Sequence, residues 1–265
     1  MVRGAQAIAS AANAHFKALE KLAHSARQRR KHGRSVLDGV HLLSALLDSG
    51  RQPEEVFVDA AGEADPEVAA LLRRIGSAPV YRLSDALFRA VSTVETPTGV
   101  IATAATPEGA IAPASARFVL LIEDVQDPGN VGTMLRTAAA AGVEHVLLSN
   151  TCAFAWSPKV LRAAMGAHFL LNIVEGADLA AWLREFPGRS IALAPRAALE
   201  VYDLDLSGPV AFVVGNEGAG LTPGIERAAK LRASVPMPGR MESLNAASAV
   251  AACLFEVVRQ RRSRS

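Results

Sequence analysis

The run Val210-Ala211-Phe212-Val213-Val214 carries no polar side chain at any position. Successive side chains of a strand point to opposite faces, so such a run belongs in a sheet that is covered on both sides, as parallel α/β sheets are. Phe118–Ile122 repeats the signal, and the mainly apolar stretches His145–Leu148, Phe169–Ile173, Ile191–Ala194 and Ala233–Val235 are further expected strands. Between them, apolar residues recur at helical spacing over Val131–Ala141, Lys159–Met165, Asp178–Glu185, Pro223–Ala229 and Leu244–Arg261. The alternation predicts a doubly wound α/β domain over residues 117–265.

The first hundred residues alternate as well. Helices are expected from Ala11 to about Arg30 and at Asp38–Asp48, Pro66–Ile75 and Asp85–Val91; strands are expected at Val56–Val58, Pro79–Tyr81 and Thr98–Thr103. This is a small α/β domain, residues 1–103. Residues 104–116 hold two prolines and little periodicity and read as a linker.

Half of the 265 residues are hydrophobic and 20% are charged, enough for a buried core. No apolar run reaches the roughly 18 residues that a bilayer span requires, so no membrane segment is expected. Cys152 and Cys253 lie far apart in apolar surroundings, which suits core thiols of a cytoplasmic protein better than a disulfide. No His/Cys/Asp cluster has metal-ligand spacing, so no metal is expected. The net charge of +2 says little, but its distribution says more. Lys17, Lys21, Arg27, Arg29, Arg30, Lys31 and Arg34 face only Glu20 within residues 15–34. Such a cluster is either a phosphate-binding footprint or a solvated helix face.

Three stretches stand out, each just after an expected strand, where parallel sheets gather ligands. Asp127-Pro128-Gly129-Asn130 feeds a helix that carries Arg136 two turns in. Gly215-Asn216-Glu217-Gly218-Ala219-Gly220-Leu221 is rich in glycines that let backbone groups approach a ligand. It fits neither the Gly-x-Gly-x-x-Gly dinucleotide fingerprint nor the Gly-Lys-Ser/Thr phosphate loop. Val235-Pro236-Met237-Pro238-Gly239-Arg240-Met241-Glu242-Ser243-Leu244-Asn245 is a constrained loop, with Ser243 expected to cap the alanine-rich helix that follows. His145 and His168, at strand starts, read as structural.

Taken in order, Asn-x-Gly-x-x-x-Arg, Gly-Asn-Glu-Gly-x-Gly-Leu and Pro-Met-x-Gly-x-x-x-Ser-Leu-Asn resemble the SpoU (TrmH) family of RNA 2′-O-ribose methyltransferases. The resemblance covers residues 118–260, and residues 1–103 are similar to the RNA-binding extension of its ribosomal-RNA-directed members. It implies a deep trefoil knot, S-adenosylmethionine held in a bent form, and a homodimer that packs through the first and last helices of the knotted domain. By position it implies cofactor contacts at Gly215, Val235 and Leu244, with Ala194 as a further candidate. Arg136 is implied as the catalytic residue. Asn130 would orient Arg136 or the ribose, Glu217 would fix the loop and a nearby arginine, and Ser243 with Asn245 would bind substrate or cofactor. Met237 and Met241 would shape the pocket. The expected reaction is methylation of a ribose 2′-hydroxyl in structured RNA, most readily ribosomal RNA. Transfer RNA as the substrate, or a non-catalytic RNA-binding or ribosome-assembly protein of the same fold, are the alternatives.

Overall fold

A computed structural model describes residues 5–264. Its contacts divide the chain into two compact units.

The first unit comprises residues up to Pro107 together with Trp156–Phe169. In chain order its leading part runs β1 (Gln6–Ile8), α1 (Ala14–His24), α2 (Ala26–His32), β2 (Arg34–Asp38), α3 (Val40–Asp48), β3 (Glu55–Val58), α4 (Ala60–Ala64), α5 (Pro66–Leu72), β4 (Val80–Leu83), α6 (Asp85–Val91) and β5 (Val100–Ala105). The sheet order is β1-β4-β3-β5-β2, parallel except where β5 meets β3 and β2. The single helix expected from Ala11 to Arg30 is two helices. Ser25 is extended, ends α1 and caps α2 by accepting from Gln28 N at 3.3 Å. Arg29 stands as a correction to the basic cluster. It is 5% exposed, and its guanidinium donates to the Leu22 and Ala23 carbonyls at the end of α1. A side chain spent on orphan helix carbonyls is not available to a phosphate. Lys17, Lys21, Arg27, Arg30 and Lys31 are exposed, and half-buried Arg34 pairs with Glu54 at 2.7 Å.

The second unit comprises Glu108–Ala155 and Leu170–Ser265. The chain continues through β6 (Phe118–Ile122), α7 (Pro128–Ala141), β7 (His145–Leu148), α8 (Pro158–Ala164), β8 (Asn172–Val174), α9 (Leu179–Glu185), β9 (Arg189–Leu193), β10 (Leu199–Glu200), β11 (Val210–Val214), α10 (Pro223–Ala228), β12 (Leu231–Ser234) and α11 (Ala246–Arg262). Helix α8 departs from the expectation of one continuous domain over residues 117–265: it packs on β2 in the first unit, and a Cβ on Gly166 would run into Ala45. The strand expected at Phe169–Ile173 begins only at Asn172, because Ala167–Phe169 form a 3-10 turn.

The seven strands are all parallel, in the order β10-β12-β9-β11-β6-β7-β8. Every residue of the adjacent strands β6 and β11 is buried, as runs without a polar position require. Residues 108–116 are bound rather than free: Trp182 Nε1 donates to the Ala112 carbonyl at 2.7 Å, and Asn172 exchanges two bonds with the Ala110 backbone.

Strand β12 lies between β9 and β10, so the link from Ala194 to Ala198 has to span it. The chain leaves β12 beside that excursion, with Ser234 Oγ 3.4 Å from the Ala197 and Leu199 carbonyls. Helix α11 returns against α7, and Gln260 fastens the excursion by accepting from Leu206 N at 2.7 Å and donating to the Leu204 carbonyl at 2.9 Å.

Candidate active site

The special stretches converge at the carboxyl ends of β6, β9, β11 and β12. Gly215 ends β11 where the loop folds back on itself, and a Cβ there would collide with the Gly220 carbonyl. Gly220 closes the turn at φ 71°, its amide donating to the Asn216 carbonyl at 2.8 Å. Only glycine fits the first position without a clash, and glycine takes the second without strain.

Two residues hold this loop: Asn216, which the motif includes without a role, and Glu123, which no motif includes. Asn216 accepts from Gly218 N (2.8 Å) and Ala219 N (3.1 Å), and donates to the Asp124 carbonyl at 3.0 Å. Glu123, 8% exposed, accepts from Thr222 N at 2.8 Å and from Thr222 Oγ1 at 2.7 Å. Asp124 itself sits at φ 54°, a conformation of the kind that clusters at functional sites. An Asn beside the glycines and a Glu-Asp pair at the end of an apolar strand were the available signals.

Asn130 lies in the first turn of α7, which Asp127 caps by accepting from Asn130 N at 2.7 Å. Its Nδ2 donates to Glu217 Oε1 at 2.5 Å. Asn245 Nδ2 donates to both Asn130 Oδ1 (3.0 Å) and Glu217 Oε1 (2.9 Å), which closes a triangle. Asn245, not Ser243, caps α11: its Oδ1 accepts from Ala247 N at 2.9 Å and Ser248 N at 3.2 Å. Ser and Asn are comparable caps, and here the helix starts two residues later than Ser243 would place it. One amide side chain thus fixes a helix start and joins two other loops. Glu217 holds the two asparagines rather than an arginine.

Arg136 is not part of the triangle. Six residues after Asn130 it lies about 120° around the helix. It is exposed and makes no hydrogen bond or ion pair with a described residue. Ser243 is exposed at the rim of the cavity.

That cavity has a volume of about 330 Å³, and Gly215, Val235, Leu244 and Ala194 all line it. Its walls are apolar, from Leu193, Val214 and Met237, and Glu217 stands at its edge. Small-molecule pockets commonly combine an apolar lining with a few polar groups, at about 300–1,000 Å³. Met241 is not among the lining residues of this cavity; its side chain is 76% exposed.

The sequence matches the SpoU rRNA Methylase family over residues 117–255. The chain belongs to the SpoU family. With that membership comes the carboxyl-terminal trefoil-knot domain of the SpoU fold. Residues 13–102 of this SpoU-family protein match an MRM3-like substrate binding domain. The 23S rRNA (guanosine(2553)-2′-O)-methyltransferase of Bacillus subtilis is 34% identical over 253 residues, 94% of this chain and 98% of that protein. A Synechocystis protein described as an uncharacterized tRNA/rRNA methyltransferase is 33% identical over 257 residues, 96% of this chain and 93% of its own. The crystal structure of the SpoU methyltransferase AviRb from Streptomyces viridochromogenes with the cofactor AdoMet has a TM-score of 0.83 to this chain. It is 27% identical, with 95% of this chain and 100% of that chain covered. The cavity fits such a group in size and lining, with apolar walls from Leu193, Val214 and Met237 for an adenine.

Proposed function

We propose that the protein transfers a methyl group from S-adenosylmethionine to a ribose 2′-hydroxyl of ribosomal RNA. One observation carries the reading: Asn130, Glu217 and Asn245, drawn from three separate motifs, form one hydrogen-bonded triangle beside a cavity that Gly215, Val235, Leu244 and Ala194 line. The cofactor, when bound, supplies a methyl group made electrophilic by a sulfonium. What the chain must do is hold the hydroxyl in line with that methyl and exclude other geometries, and positioning of this kind supplies much of the acceleration. The reading assigns no metal to this step.

Asn245 has its amide and its carbonyl occupied, so it fixes geometry rather than touching RNA. Asn130 keeps one N–H and Glu217 one carboxylate oxygen beyond the triangle, and these face the ribose. Arg136 offers only donors, its N–H groups set in a planar fork. We assign it to grip the phosphate next to the reacting ribose, for which the planar fork is well shaped. Its outward position on α7, beside α11 with half-exposed Phe255, supports a homodimer in which each site is completed from the other chain. The exposed cations Lys17, Lys21, Arg27, Arg30 and Lys31 support RNA binding by the first unit. The match of residues 13–102 to a substrate binding domain favours that reading over a solvated face. Free thiols at Cys152 and Cys253 fit a cytoplasmic setting.

The test is transfer of a tritiated methyl group to 23S rRNA from cells that lack the gene. Wild-type protein labels a ribose. Arg136→Ala loses at least about a hundredfold in rate while calorimetry finds cofactor affinity unchanged. Label on a base, or a rate for Arg136→Ala near wild type, overturns the assignment.

A further inference from the structure

Two described residues other than glycine have a positive φ. Met165, at 51°, ends α8, where a left-handed residue is an ordinary helix stop. Asp124, at 54°, ends no helix. It lies two residues beyond β6, and the chain around it is pinned from both sides. From the loop after β7, Ser149 N donates to the Ile122 carbonyl at 3.0 Å and Ala153 N to the Val125 carbonyl at 2.9 Å. Asp124 N itself donates to Ser149 Oγ at 3.0 Å. On the other side, Glu123 N donates to the Val214 carbonyl at 2.9 Å. Strained backbone persists where its surroundings over-determine it, as they do here.

The turn aims one carbonyl. Asp124 O accepts from Asn216 Nδ2 at 3.0 Å. The Asn216 amide cannot be reversed, because its Oδ1 takes the Gly218 and Ala219 N–H groups at 2.8 and 3.1 Å. Asn216 and Gly218 flank Glu217 in the chain. A line of contacts therefore runs from Ser149 through the Asp124 backbone and the Asn216 amide to both neighbours of Glu217. The Asp124 carboxylate lies off this line; its contact is with exposed Gln126, whose Nε2 donates to Oδ1 at 3.2 Å. Aspartate is one of the few side chains besides glycine that tolerates a left-handed backbone.

We propose that Asp124 is a positioning residue for Glu217, and that it acts through its left-handed backbone rather than its carboxylate. The inference rests on the transferase reading above and extends it to a residue that none of the three motifs includes.

The experiment compares full-length Asp124→Gly, Asp124→Asn and Asp124→Ala, by tritiated methyl transfer to 23S rRNA and by amide hydrogen exchange. Glycine and alanine both remove the carboxylate and differ in how readily they take a positive φ. Asp124→Gly and Asp124→Asn should keep kcat within about threefold of wild type. Asp124→Ala should lower kcat about tenfold, with cofactor Kd and the KM for RNA within about threefold. Beside Asn216→Ala the same alanine should lower kcat no further, because both changes act along one path. The Gly218 and Ala219 amides should exchange about tenfold faster in Asp124→Ala, and at nearly the wild-type rate in Asp124→Gly. Should alanine at 124 prevent folding, Ser149→Ala frees the Asp124 amide without adding strain. It should lower kcat about threefold, again with nothing further beside Asn216→Ala.

Wild-type turnover in Asp124→Ala, or in Ser149→Ala where that variant stands in, overturns the proposal. Equal losses in the glycine and alanine variants overturn it and give the role to the carboxylate. Losses that multiply in the double variant also overturn it, since two independent structural defects would do the same. Exchange is read without turnover. If wild type labels no ribose, the transferase reading fails, and equal exchange in the glycine and alanine variants is then the result that sinks the positioning of the loop.

Discussion

The loop at 215–222 is stitched down along its length, whereas residues 236–244 on the opposite wall of the same cavity have no hydrogen bond to any described residue. The first loop has a side chain folded under it, a buried carboxylate at its end and glycines at the two points where the backbone turns on itself. The second has prolines to limit its conformations, exposed side chains at residues 238–245, and a firm anchor only at Asn245, where α11 begins. The difference separates two tasks. On the proposal that Glu217 faces the ribose, the internal hydrogen bonds of its loop set it in place before substrate arrives. The other loop has polar groups left over for what it binds.

Breaking the stitched loop should therefore cost most. Gly215→Ala drives a methyl group into the Gly220 carbonyl; cofactor binding should fall below detection by calorimetry and stability should drop by about 1–3 kcal/mol. Asn216→Ala removes the tie to Asp124 and two turn contacts. Its kcat should fall about a hundredfold, with about 2 kcal/mol lost in urea unfolding. Glu217→Gln keeps the shape of the triangle but not its charge. A roughly tenfold fall in kcat with an unchanged melting temperature would separate positioning from electrostatics.

The helix that follows the bare loop is rigid in another way. Burial pushes the Cys253 thiol up to about 12. Above pH 9 the unfolded chain loses this proton and the folded chain keeps it. Stability therefore falls as pH rises from about 9 to about 12, by about 1.4 kcal/mol per unit from this group. Cys253→Ala should remove that part of the slope in unfolding measured against pH. The smallest effect belongs to the bare loop: a Cβ on Gly239 meets nothing within 4 Å, and Gly239→Ala should change stability by less than about 0.5 kcal/mol.

The same contrast governs how much the residues reveal. Strands β6 and β11 begin and end where their apolar runs do, because burial on both faces leaves no room for a polar position. Strands β1, β2 and β10 carry polar residues and were missed; their pairing is set by neighbours distant in sequence. The three motifs were visible as motifs. That Asn130, Glu217 and Asn245 meet, and that Arg136 stays apart, depends on loop paths that no local spacing encodes. Arg29 shows the limit on charge patterns: one residue in a basic run turns inward to cap a helix, and its neighbours do not. Glu123 escaped notice, and Asn216 was visible only as a member of its motif, because a residue that holds another in place leaves no chemical signature of its own.

The most direct measurement is a map of ribose methylation in total RNA from cells with and without this gene. The account predicts that one 2′-O-methyl mark in ribosomal RNA disappears, and returns with the wild-type gene but not with Arg136→Ala. An unchanged map in ribosomal RNA, or restoration of the mark by Arg136→Ala, would contradict it.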